Sequence, residues 1–143
     1  MNFETRARLE FAFITALAAI VALGFIASNA KAQAMEVCPA SGVRITCVHD
    51  GDSLVVNRER IRIADIDTPE LDGRCASESQ LAIRARNRLV QLLNAEPYRI
   101  QRTGQGRYGR TLAIVSNSRG SIGDQLVAEG LARTWSGRRE PWC

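Results

Sequence analysis

The chain has 143 residues, of which 45% are apolar and 24% charged, and its formal net charge is +4. That length suits one globular domain and excludes two. The positive balance favours polyanionic partners without demanding them, since many soluble domains carry as much.

From Phe11 to Ala27 every residue is apolar or small except Thr15. The run follows Arg6 and Arg8 and leads into Ala30-Lys31-Ala32, an A-x-A cleavage pattern. This predicts a secretory signal peptide over residues 1–32 and a domain over 33–143. The run of 17 residues falls short of the roughly 20 that span a bilayer. Glu4 and Glu10 dilute the basic N-terminal charge, so a retained membrane anchor is the alternative reading. Beyond Ala32 the chain has 16 arginines, 13 acids and no lysine. Arginine suits planar, bidentate phosphate contacts, although a GC-rich genome gives the same bias.

The four cysteines, Cys38, Cys47, Cys75 and Cys143, all follow the leader and are even in number, which implies an oxidising compartment. Of three connectivities we favour Cys38–Cys47, closing a short loop, and Cys75–Cys143, tying the C-terminus to the middle of the domain. By loop entropy these contribute at most roughly 2.5 and 4.5 kcal/mol. Zinc is the rival, but the spacing is not paired C-x2-C and His49 is the lone histidine.

Five short β-branched-rich runs are predicted as strands: 43–48, 53–57, 60–66, 98–103 and 111–116, divided by Gly, Asp, Asn or Pro. Between the third and fourth, Ser77-Glu-Ser-Gln80 reads as a capping box. Leu81, Ala85, Leu89 and Leu92 then recur at helical spacing opposite Arg84, Arg88 and Gln91, as far as Asn94. A second helix runs from Ser121 as N-cap to Gly130 as C-cap. Five strands with a helix between the third and fourth suggest a small OB-type barrel.

Three segments carry chemistry. In Asp50-Gly51-Asp52-Ser53, Gly51 permits an unusual turn that aims both carboxylates into one region, and Ser53 can fix a carboxylate. Many such tetrapeptides are only turns. In Arg62-Ile-Ala-Asp65-Ile-Asp67-Thr68-Pro69-Glu70, Pro69 sets the direction in which Glu70 leaves the strand. A period of two places Arg62 and Asp67 on opposite faces, so the strand must bend before Asp67 if both are to meet one phosphate. In Arg107-Tyr108-Gly109-Arg110, the glycine allows a tight turn and Arg110 can fork two phosphate oxygens.

Asp52 and Asp67 can thus hold a hard cation, Glu70 can take a proton from water, and Arg62 and Arg110 can grip a phosphorus under attack. Arg107 and Tyr108 can hold a neighbouring phosphate, although a solvated turn explains Arg107 nearly as well. An exposed ion pair likewise explains Arg62 or Glu70 taken singly. His49 reads as structural, and Trp135 and Trp142 as packing on the barrel.

These segments, with Gly104-x-x-Arg107-Tyr-Gly-Arg110-x-Leu-Ala and Asp124-x-Leu-Val-x-x-Gly-Leu-Ala132, resemble the staphylococcal-nuclease-like (thermonuclease) family over residues 43–135, in its secreted bacterial branch. The resemblance implies an α+β fold, a small five-stranded OB-type β-barrel with about three packed helices. It also implies Ca²⁺-dependent endo- and exonucleolytic hydrolysis of DNA and RNA to 3′-phosphate and 5′-hydroxyl ends, with no obligate protein partner. By resemblance, Asp52, Asp67 and the backbone carbonyl of Thr68 are metal ligands. Arg62, Glu70 and Arg110 are the catalytic trio, and Arg107 and Tyr108 contact a terminal phosphate. Ser53 stands where the family often has threonine, the 71–77 stretch is shorter than the type member's mobile loop, and its base-stacking tyrosines have no clear match. The expected location is periplasmic or secreted, with a membrane tether if the leader is retained. The rival readings are a catalytically silent OB-fold nucleic-acid-binding module and an interaction domain whose acids bind Ca²⁺ only for stability.

Overall fold

The computed structural model describes residues 34–143, so the leader expected over 1–32 lies outside the described residues. The strands are β1 (Cys47–Val48), β2 (Ser53–Val56), β3 (Glu59–Ile63), β4 (Ile66–Asp67), β5 (Arg99–Gln105), β6 (Thr111–Asn117), β7 (Gly120–Ser121) and β8 (Arg133–Thr134). The helices are α1 (Ala76–Ala95) and α2 (Ile122–Ala128). Sheet order is β1-β2-β3-β6-β5, with β7 on β6 and a separate β4-β8 pair. The β3-β6 pairing is parallel and the remaining strand pairs are antiparallel. This is an OB-type α+β architecture, with two α-helices and a three-residue 3₁₀ turn (Arg107–Gly109) among the described residues.

Alternation decides which strand residues face inward. Ile61, Ile63, Ala113 and Val115 point into one core and Arg62 and Ile114 do not, because successive side chains of a strand leave opposite faces. Ala82, Ala85, Leu89 and Leu92 of α1 seal that core at helical spacing, joined by Ile122 and Leu126 of α2.

Three expectations change. The first strand is only Cys47–Val48: residues 43–46 lie outside any strand, Cys38–Cys47 is bonded, and Val37 forms an isolated parallel bridge to Val48. The 60–66 run breaks after Ile63, Ala64 and Asp65 forming a turn before β4. The capping box is also absent: Cys75 is the N-cap of α1 without a side-chain bond. Glu78 instead turns back into the preceding loop, where its carboxylate accepts from Arg74 N at 2.7 Å, and Gly73 N donates to Ser79 Oγ at 3.1 Å. Ser121 does cap α2, accepting from Asp124 N at 3.2 Å. Both favoured disulfides, Cys38–Cys47 and Cys75–Cys143, are formed.

Candidate metal and phosphate site

The Asp50–Ser53 turn joins β1 to β2 and is closed by its own backbone. His49 N and Asp50 N donate to Ser53 O at 2.8 and 3.3 Å, and Asp52 N donates to Asp50 Oδ1 at 3.1 Å. Gly51 is required here for room, not for an unusual backbone angle. A Cβ would lie 2.8 Å from Ala85 Cβ and 3.0 Å from Thr68 Cβ, so the turn packs directly on α1 and on the Thr68 corner. Asp52 is consequently 2% exposed. Its Oδ1 accepts from Ser53 Oγ at 2.9 Å and Arg62 Nη1 at 3.0 Å. Its buried Oδ2 lies 2.8 Å from the same Nη1 but receives no directed hydrogen bond. Burial, reinforced by the negative charge of Asp50, raises the Asp52 carboxyl to about pKa 7 against the lowering pull of Arg62 and Ser53.

The turn at Ala64-Asp65 supplies the bend that strand periodicity required. It is fixed on three sides: Ala64 N donates to Ala113 O, Trp135 N to Asp65 O, and Ser121 Oγ to Asp65 Oδ2. Across it, Arg62 reaches both acids, with Nη1 on Asp52 and Nη2 3.8 Å from Asp67 Oδ1. Asp67 and Thr68 are 3% and 2% exposed, Pro69 is buried, and Glu70 emerges to the surface as the proline corner predicts.

The Arg107–Arg110 segment forms the 3₁₀ turn, closed by Gly106 N donating to Arg110 O at 2.7 Å. Both Tyr108 (φ 62°) and Gly109 (φ 68°) are left-handed. For a bulky tyrosine this conformation costs of order 1–3 kcal/mol and needs external support. Arg60 provides it, Nη2 donating to Tyr108 O at 2.5 Å. Tyr108 is 81% exposed. Arg62, Glu70, Arg107, Tyr108 and Arg110 line one cavity of about 610 Å³. Arg110, which lines this cavity, has its Nε buried without a hydrogen-bond partner.

The donor set suits a hard cation: two buried carboxylates, one with an oxygen lacking a directed donor, beside the Thr68 backbone. No third carboxylate joins them closely among the described residues. The one tight cluster, Cys75, Glu78 and Cys143, has both sulfurs committed to a disulfide. Carbonyls and water would therefore complete the coordination. His49 stays outside this arrangement, with Nδ1 3.3 Å from Arg44 Nη1.

Sequence reasoning missed the C-terminal segment. Arg139 donates from Nε and Nη2 to Asp67 Oδ1 at 3.1 and 2.9 Å and pairs through Nη1 with Glu70. Trp142 is not merely packed: its indole N–H donates to Asp67 Oδ2 at 3.3 Å. Trp135 is 40% exposed and lines the cavity instead of packing on the barrel. The available clue was Cys143, because bonding it to Cys75 draws residues 139–142 across the 67–74 corner.

Residues 60–141 match the family described as staphylococcal nuclease homologue. A Haemophilus influenzae protein named "Uncharacterized endonuclease" is 28% identical over 119 residues, covering 83% of this chain and 61% of that relative. A Shigella flexneri protein named "Micrococcal nuclease" is 40% identical over 70 residues, covering 46% of this chain and 37% of that relative. The chain therefore spans less than two thirds of the length of either relative. The family match takes in Asp67 and the cavity-lining Arg62, Glu70 and Arg110, and extends over more than half of the sequence. The chain belongs to the staphylococcal nuclease homologue family.

Proposed function

We propose that this protein is a metal-dependent phosphodiesterase, a nuclease that cuts DNA and RNA, with Ca²⁺ as its ion and 3′-phosphate ends as its products. One observation carries the reading: a single guanidinium, Arg62, bridges two buried carboxylates at the edge of a cavity that also holds Glu70 and Arg110. Asp52, Asp67 and the Thr68 carbonyl would hold the ion, which supplies positive charge opposite the phosphate under attack. Glu70, at the exposed end of the proline corner, accepts a proton from the attacking water. Arg62 and Arg110 stabilise charge as it builds on the phosphoryl oxygens. Because their positions are preset by Asp52 and by the 3₁₀ turn, little reorganisation is needed at that moment. Arg107 and Tyr108, on the same turn, take the adjoining phosphate.

Two disulfides and the apolar leader support a periplasmic or secreted location, or an N-terminally anchored one outside the cytoplasm. The test is cleavage of single- and double-stranded DNA and of RNA by the oxidised protein, with Ca²⁺ and with chelator, followed by analysis of the new ends. Ca²⁺-dependent cuts bearing 3′-phosphate support the proposal. Binding of folded protein without cleavage would replace it with a silent binding module.

A further inference from the structure

The acids of this site already face a cation that belongs to the chain. Asp67 Oδ1 receives two N–H donors from Arg139, Asp67 Oδ2 receives the Trp142 indole, and the remaining Arg139 nitrogen pairs with Glu70. Both oxygens of Asp67 are thus engaged by residues 139–142. No helix or strand places this segment. It is held by the Cys75–Cys143 disulfide, by Arg133 Nη1 donating to Pro141 O at 3.0 Å, and by the Arg133 guanidinium 3.8 Å over the Trp142 ring.

A hard divalent ion needs the same carboxylate lone pairs, and a guanidinium in contact with Asp67 repels it. Arg139 and a divalent ion therefore compete for Asp67. The displacement is open to the ion, because the Arg139 side chain is 39% exposed and water can solvate its guanidinium once it leaves the buried Asp67. Arg139 also lines the wide cavity beside Arg62 and Arg110, which gives the displaced guanidinium space.

We propose that Arg139 is an internal counter-cation that a divalent ion displaces from Asp67, lifting Trp142 with it. The disulfide keeps the tail at the rim, so that the contact re-forms when the ion leaves. This rests on the cation site proposed above at Asp52 and Asp67, but not on whether nucleic acid is cut.

The test is calorimetric titration of Ca²⁺ into the oxidised, chelator-treated protein without nucleic acid, comparing Arg139→Gln and Arg139→Lys with the parent. Trp142 emission is followed in parallel in a Trp135→Phe background. Arg139→Gln should bind Ca²⁺ about tenfold more tightly, with Arg139→Lys between the two. Trp142 emission should change with the calorimetric midpoint. Equal or weaker Ca²⁺ affinity in Arg139→Gln overturns the inference, as does an emission indifferent to saturating Ca²⁺. Should Arg139→Gln fail to fold, the emission titration of the Arg139-bearing protein decides alone. Absence of Ca²⁺ binding to the parent overturns this inference and the cation site together. Tightened binding without any phosphodiester cleavage supports the counter-cation and removes the nuclease.

Discussion

Asp52→Asn should stabilise the metal-free protein at alkaline pH while abolishing its use as a cation ligand. The Asp52 carboxyl is raised from 3.8 to about 7, chiefly by burial. The folded state therefore keeps a proton that the unfolded state releases above pH 4, and unfolding between pH 4 and 7 liberates it. The sign follows: the contribution is complete below about pH 4 and is lost as pH rises through 7. At about 1.4 kcal/mol per pH unit the loss amounts to about 4 kcal/mol at pH 8. An amide avoids that cost. Its oxygen still accepts from Ser53 and Arg62, but its NH₂ must replace an Oδ2 that lies 2.8 Å from Arg62, so a net gain of about 2 kcal/mol is expected. Urea unfolding in chelator at pH 8 and pH 4 measures it, with the advantage of Asp52→Asn present at pH 8 and gone at pH 4. Excess Ca²⁺ should reverse the order at pH 8, since ligand at about 100 times Kd adds about 2.7 kcal/mol to the parent alone. A difference between the two proteins that does not vary with pH would refute the reasoning, because it would mean that burial places no strain on the ionised Asp52.

Arg62→Ala and Arg110→Ala should each lower kcat by about 10²–10³, the scale of losing one preorganised transition-state donor, which single-turnover cleavage measures. An unchanged kcat removes that arginine from the mechanism. Gly51→Ala should destabilise by about 1–3 kcal/mol and weaken Ca²⁺ binding, because its Cβ would push the Asp52 turn away from Ala85 and Thr68. Urea unfolding and calorimetry read the two effects. Replacing Cys75 and Cys143 by serine should cost more in urea unfolding than replacing Cys38 and Cys47. The bridged separations are 68 and 9 residues, equivalent to about 4.4 and 2.6 kcal/mol of loop entropy.

The local geometry around the candidate site was legible in the sequence because its constraints are local. Pro69 directs Glu70 within two bonds of itself, Gly109 permits the turn before Arg110, and Ser121 caps the helix it begins; all three hold in the structure. The bend before Asp67 was only a condition in the sequence: Arg62 and Asp67 differ by an odd number of positions, so alternation separates them unless the strand turns, and the turn itself is seen at Ala64-Asp65. Tertiary structure decided what local rules cannot reach. The helix starts at Ala76, one residue before the Ser77 expected as N-cap, so Ser77 lies inside it and the Ser77–Gln80 box cannot form, while Glu78 turns its buried carboxylate to the Arg74 backbone. Gly51 is needed for the closeness of Ala85, 34 positions along the chain. Arg139 meets Asp67 from 72 positions away because a disulfide brings the tail there, and no periodicity in the sequence encodes that approach. Local geometry thus set which groups could do chemistry. The packing of distant segments set the burial that raises Asp52, the partners of these groups and the arginine that stands against Asp67.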